Sequence, residues 1–232
     1  MQIFRGIHHR GIASACALTI GNFDGVHRGH QAMLALLKNE ARHRGLPSSV
    51  LTFEPHPRDF FAHRLQQPER APARIATLRD KLAELKACGI DQCVIMPFNA
   101  GLAALSPEAF VQEVLVQGLG VRYVLIGDDF RYGAKRAGDY ALLDASGAQA
   151  GFDVARMNSY ELDGLRVSSS EVRAALAREP TLAEAHNDLG VLLLLHLELV
   201  LLGAGVDAFL EGLVLRVTLL DIRLLQVLLQ DL

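Results

Sequence analysis

Ala15-Cys16-Ala17-Leu18-Thr19-Ile20 runs directly into Gly21-Asn22-Phe23-Asp24-Gly25-Val26-His27-Arg28-Gly29-His30. The first six residues are a short apolar run closed by glycine, which reads as a strand. Over residues 30–44 the apolar positions Met33, Leu34, Leu36 and Leu37 recur at helical spacing, and Gly45 stops the run. Glycines at 21, 25 and 29 let backbone approach a ligand closely, and the first N–H groups of the helix lie open to an anion. His27 and His30 are three residues apart, so they share one side of the first helical turn. Two imidazoles placed there can donate to phosphate oxygens as negative charge builds in a transition state. The stretch is neither GxGxxG nor GxxxxGK[ST]. Two other readings stand beside a phosphate site. One is a glycine turn carrying two incidental histidines. The other is a pair of metal ligands, which lacks a third ligand at a usual spacing. The passage from strand to helix favours phosphate.

Working outward, the same alternation repeats. Strands are expected at 49–53, 93–96, 123–126 and 152–156, and helices at 78–87, 107–117, 139–148 and 170–178. Ser106 before Pro107 is a helix start, Gly89 a helix stop, and Ser168 or Ser169 caps the last helix before Pro180 ends it. Pro55 and Pro57 stop the second strand and are read as a rigid extended loop, with Phe60 and Phe61 offering apolar faces. The 101–107 stretch reads as a turn plus a helix cap. Asp128 reads as part of a solvated acidic turn, and His8, His9 and His56 as loop residues. Alternating strands and helices imply an α/β fold, a Rossmann-like doubly wound parallel sheet that binds ligands where the strands' carboxyl ends open into loops.

Composition sets the bounds. The chain has 232 residues, half of them hydrophobic and 21% charged, enough for a substantial core. A net charge of −3 argues against a nucleic-acid or polybasic membrane binder. Cys16, Cys88 and Cys93 form no CxxC pair, so neither a disulfide framework nor a zinc site is expected. MQIFRGIHHRG has no apolar stretch long enough for a signal peptide, and a cytoplasmic location is the expectation. Composition then changes: residues 191–232 hold 18 leucines in 42 positions. Charged residues from Glu198 to Asp231 interrupt that segment too often for a membrane span. The division expected is therefore a main domain over 1–188 and a short Leu-rich appendage over 189–232. Its apolar surface makes self-association an expectation.

Four stretches together carry a resemblance. GNFDGVHRGH, Phe53-Glu54-Pro55-His56-Pro57, Ile126-Gly127-Asp128-Asp129-Phe130-Arg131-Tyr132-Gly133 and Arg166-Val167-Ser168-Ser169-Ser170-Glu171-Val172-Arg173 resemble, in order, the motifs of the FMN adenylyltransferase domain of bacterial FAD synthetases. These enzymes are nucleotidyltransferases of the HxGH type. The resemblance implies transfer of AMP from ATP to FMN, with Mg²⁺ accompanying ATP and with these small molecules as partners. It implies His27, His30, Asn22 and Arg173 as the reacting set. Gly21, Phe23, Asp24, Gly29, Arg166, Ser169 and Ser170 are then implied for ATP, and Pro55, Pro57, Phe61, Asp129 and Tyr132 for the flavin. The serine run has a physical reading of its own, since hydroxyls and N–H groups at a helix start can hold phosphates and Arg173 can meet them with a fork of donors. The family's second activity, riboflavin phosphorylation, needs a further domain whose G-x-x-x-G-R-x-x-G-F-P-T-A-N element is absent. The faint likeness of 210–217 to that domain's strands suggests at most a remnant. A non-catalytic flavin or nucleotide binder, or a nucleotidyltransferase for another phosphate acceptor, are the competing readings.

Overall fold

Tyr123, Val124, Leu125 and Ile126 are consecutive, yet they alternate between two separate hydrophobic clusters. Cys93, Val94 and Ile95 do the same, as do Val50 and Leu51. Side chains leave a strand on opposite faces in turn, so a strand apolar on both faces belongs inside a sheet covered on both sides. The computed structural model describes residues 1–162 and 165–178. Its contacts divide the chain into two units, Met1–Glu161 with Leu165–Arg173 and Leu162–Gly164 with Ala174–Leu232. The first unit contains the whole six-stranded sheet.

In chain order the elements are β1 (Gln2–Arg5), β2 (Cys16–Ile20), α1 (Arg28–His43), β3 (Ser48–Glu54), α2 (Pro57–Arg64), α3 (Leu78–Ala87), β4 (Gln92–Pro97), α4 (Ala100–Ala104), α5 (Pro107–Ala109), β5 (Val121–Gly127), α6 (Tyr140–Ala150), β6 (Asp153–Met157), β7 (Glu161–Leu162), β8 (Leu165–Arg166) and α7 (Ser169–Arg178). Six strands form one parallel sheet in the order β1-β4-β3-β2-β5-β6. One cluster joins Leu34, Leu37 and Ala41 of α1 and Leu85 of α3 to one face. The other joins Phe110, Val111, Val114, Leu115 and Leu143 to the opposite face. The fold is thus α/β and doubly wound, as expected from the alternation.

From β2 the chain builds outward through β3 and β4, then crosses back to place β5 on the other side of β2. The loops that follow β2 and β5 therefore diverge above adjacent strands, which is where such sheets open a crevice.

Several local expectations need correction. A sixth strand, β1, forms at the sheet edge by pairing with β4. Its exposed–exposed–buried–exposed pattern leaves only Phe4 inside, too little periodicity to read. Residues 57–64, expected as an extended loop, form helix α2. Pro57 occupies its first position, where the missing N–H costs nothing, and the His56 side chain accepts from Arg58 N–H at 3.1 Å as N-cap. The expected turn at 101–104 is helix α4, capped by Asn99. The helix expected over 107–117 is only briefly α: it continues over Phe110–Gly118 with the wider π spacing. The Pro180 stop, the boundary at 188/189 and the Leu-rich segment lie outside the described residues.

Leu37 is fully buried where α1 meets the sheet. Replacing it with alanine should lower stability by about 2–5 kcal/mol, the usual range for a truncated core leucine, as read from urea unfolding. A loss below about 1 kcal/mol would contradict the packing described.

Candidate functional site

The loop after β2 is held in a conformation that polypeptide does not adopt freely. Phe23 and Val26 have φ of 48° and 27°, and a branched side chain such as valine's is poorly tolerated there. Gly25, at φ 81°, lies so close to Ile75 that an added Cβ would come within 2.5 Å of its methyl group. What holds the loop is largely Asp24, whose side chain is 1% exposed. Its carboxylate accepts from the backbone N–H groups of Ile75 and Ala76 at 3.1 Å. It also pairs with the Arg173 guanidinium. Arg173 donates further to the carbonyls of Ala73 at 2.7 Å and Ser169 at 3.2 Å. The Ser169 hydroxyl donates to the Asp24 carbonyl at 3.1 Å. Three segments far apart in sequence, the loops around residues 24 and 74 and the start of α7, are thereby tied at one point.

The loop delivers His27 to the head of α1, where its Nδ1 accepts from His30 N–H at 3.3 Å as N-cap. That bond fixes the tautomer: a neutral His27 carries its proton on Nε2, which is left free to donate. The two imidazole rings stack at 3.7 Å and 19°, with Phe23 against His30 at 4.9 Å. Burial, and secondarily Arg173, push His27 down to about 4. Burial, with the nearby His27 and Lys81, holds His30 well below the ordinary imidazole value. Its Nδ1 is buried with no hydrogen-bond partner among the described residues. At neutral pH both rings are uncharged donors rather than cations.

These residues face an open pocket of about 260 Å³. His27, Gly29, His30 and Met33 line one side, Gly127, Asp128 and Asp129 another, and Met157–Tyr160 with Arg166–Ser170 the rest. Ser168 caps the start of α7 by accepting from Glu171 N–H at 3.3 Å. Asp128 is no loose turn residue. It accepts from the Ser159 hydroxyl at 2.6 Å and backbone at 3.2 Å, which holds its carboxyl below the usual range. Arg166 reaches both Asp129, at 3.0 Å, and Asp128, at 3.4 Å.

Of the residues singled out from sequence, the fold gathers His27, Gly29, His30, Arg166, Ser169, Ser170 and also Asp129 around this pocket. Asp24 and Arg173 brace it from behind. Gly21, Asn22 and Phe23 form the loop leading in. Pro55, Pro57 and Phe61 lie elsewhere, at α2. There Phe53, Phe60, Phe61 and Phe98 make a cluster of edge-to-face contacts at 5.3–5.8 Å, with Phe61 44% exposed. Tyr132, expected to meet the flavin, is 6% exposed and packed between Phe110 and Phe130. Sequence reasoning missed Asn158, Ser159 and Tyr160. Their signal was positional, since they come directly after the last strand of the sheet.

Burial sets an acid limit for this region. Between 6.5 and about 4 the unfolded chain takes up protons that folded His27 and His56 refuse. Their contribution to stability is therefore lost as pH falls through that interval. The urea midpoint should drop between pH 6.5 and 4, and His27→Gln should make the drop shallower. A midpoint flat across the interval would contradict neutral, buried imidazoles. Separately, Asp24→Ala strands the Arg173 charge and should cost about 3–5 kcal/mol in urea unfolding. No loss of stability would refute the junction.

Residues 9–171 match the FAD synthetase family. The chain is 49% identical over 182 residues to a bifunctional riboflavin kinase/FMN adenylyltransferase of Pseudomonas fluorescens, covering 76% of this chain and 55% of that protein. It is 45% identical over 192 residues to the protein of the same description from Escherichia coli K12, covering 82% and 59%. The chain thus spans little more than half the length of the curated relatives it matches. A solved Streptococcus pneumoniae structure described as a macrolide-efflux protein superposes with a TM-score of 0.63 at 20% identity, covering 76% of this chain and 56% of that one. That likeness is one of fold.

Proposed function

The chain belongs to the FAD synthetase family, and from that membership we propose that it transfers the adenylyl group of ATP to FMN. An oxygen of the FMN phosphate attacks the α-phosphorus of ATP, the bond from that phosphorus to pyrophosphate breaks, and FAD and pyrophosphate leave. The single observation that carries the reading is the stacked His27–His30 pair at the head of α1, facing the Ser168–Ser170 helix start across one pocket. The attacking phosphate is already ionised near neutral pH, so no strong base is required. The task is to hold the reactants in line and to stabilise charge as it shifts onto the leaving group.

Roles follow from position. The Nε2–H of His27 and the ring of His30 serve the ATP phosphates as neutral donors, with Asn22 beside the reacting groups. Ser169, Ser170 and the free N–H groups of α7 serve the departing pyrophosphate. Arg173 has three of its N–H groups engaged by Asp24, Ala73 and Ser169. The remaining two are free by valence to meet a phosphate oxygen. The half-exposed Phe61 beside Pro55 and Pro57 offers a face for the isoalloxazine ring.

Magnesium enters the proposal with ATP. The carboxylates lining the pocket, Asp128 and Asp129, are engaged by Arg166 and Ser159, so the donor set fits an ion held mainly by the nucleotide's own oxygens. When bound it would neutralise phosphate charge. Among the described residues no helix is long and apolar enough to cross a membrane.

A chromatographic assay with ATP and Mg²⁺, offering FMN in one tube and riboflavin in another, should yield FAD from FMN alone. FMN appearing from riboflavin would add an activity the proposal does not include. No FAD despite bound FMN would replace the enzyme with a binding protein. His30→Ala should lower turnover by about 10²–10³-fold while FMN binding changes only a few-fold. Equal losses in both would remove His30 from the transition state.

A further inference from the structure

Lys81, on the first turns of α3, is 1% exposed. Its Nζ donates to the Thr52 hydroxyl at 3.4 Å, and Thr52, itself fully buried on β3, donates to the Asn22 carbonyl at 3.2 Å. No carboxylate comes within ion-pair distance of it among the described residues. A buried ammonium with one long bond to a neutral hydroxyl is costly, and a methionine of similar volume would fill the space without that cost. Function is the usual reason for keeping such a charge, and this one lies at the carboxyl end of the sheet, directly behind the loop that opens the pocket.

We propose that Lys81 is a positioning residue for the polyphosphate: through Thr52 it fixes the Asn22 carbonyl, and its charge is fully compensated only when nucleotide phosphates occupy the pocket. The inference rests on the adenylyltransferase reading of that pocket. The groups that face Lys81 from the elements around it are Asp24 in the loop after β2, Glu54 at the end of β3, Arg74 ahead of α3, Cys93 on β4 and His30 on α1. Two are cationic or become so, and the acids Asp24 and Glu54 are partly engaged by Arg173 and Arg74. Burial holds Lys81 below its ordinary 10.5, with Arg74 adding to the effect. A bound polyanion opposes that lowering and favours the protonated form of Lys81. Nucleotide affinity is then strongest where Lys81 is protonated and falls as pH rises toward 10.5.

The test is calorimetry of MgATP binding to the whole chain in buffers of different ionisation enthalpy, between about pH 7.5 and 9.5. ATP phosphates and the buried imidazoles no longer titrate in that range. The wild-type chain should take up protons on binding to an extent that grows toward the upper end of that range. In Lys81→Met the uptake should vanish, affinity at the lower end of that range should fall about tenfold or more, and the pH dependence should flatten. The unliganded Tm of this variant should equal or exceed the wild type, which a merely structural lysine would not allow. Thr52→Val, which keeps the charge and removes the link, should retain proton uptake while raising the KM for ATP several-fold. Wild-type uptake that does not rise with pH, or uptake and affinity unchanged in Lys81→Met, overturns the role of Lys81 alone. Absence of MgATP binding by the wild-type chain overturns the functional reading and this inference with it.

Discussion

A carboxylate taken out of water keeps its charge only if hydrogen bonds and an opposite charge surround it. Asp24 meets that demand by collecting the Ile75 and Ala76 amides and the Arg173 guanidinium, and the rest of the pocket follows from where those partners sit. Satisfying Asp24 fixes the entry to α3 on one side and the start of α7 on the other. It also holds the strained turn through Phe23 and Val26, so His27 arrives at the head of α1 with Nδ1 occupied and Nε2 free. The parallel sheet supplies the place, because β2 and β5 are adjacent and their loops part above them. Asp24 supplies the rigidity.

The pocket sets charge against burial. His27 and His30 are buried enough to lose their protons at neutral pH, so they offer direction rather than charge. Positive charge comes instead from Arg166 and Arg173, each already bound to carboxylates, and from Lys81 beneath the loop. A site organised this way carries little net charge when empty. A polyanionic ligand would add partners to the N–H groups that these arginines leave unengaged, without displacing Asp24 from Arg173.

Much of this was legible in the residues. The apolar run 15–20, the helical spacing of Met33, Leu34 and Leu37, and the glycine-rich stretch between them identify the central strand, the helix and the loop joining them. The alternation beyond them identifies a doubly wound sheet. The order GNFDGVHRGH, GDDFRYG, RVSSSEVR places three loops at one end of it. What escaped sequence reading has local causes. β1 buries a single side chain, Phe4, so no pattern betrays it. In α2 the two prolines suggest an extended chain, yet Pro57 sits where a helix tolerates proline, and a histidine rather than a serine or aspartate caps it. The π-spaced segment after Ala109 keeps apolar residues at Phe110, Val111, Val114 and Leu115, a pattern that an α-helix would share. Asp128 and Lys81 look like ordinary surface residues in sequence, and only the folded chain brings Ser159 to the one and Thr52 to the other.

The central claim is that the loop after β2 and the start of α7, joined by Asp24 and Arg173, form one phosphate-binding site. A crystal structure of the chain with Mg²⁺ and a non-hydrolysable ATP analogue tests it most directly. The triphosphate should lie between the His27–His30 pair and Ser168–Ser170, within hydrogen-bond distance of both. A triphosphate bound away from either side, or touching the histidines while α7 stands clear, would contradict the claim.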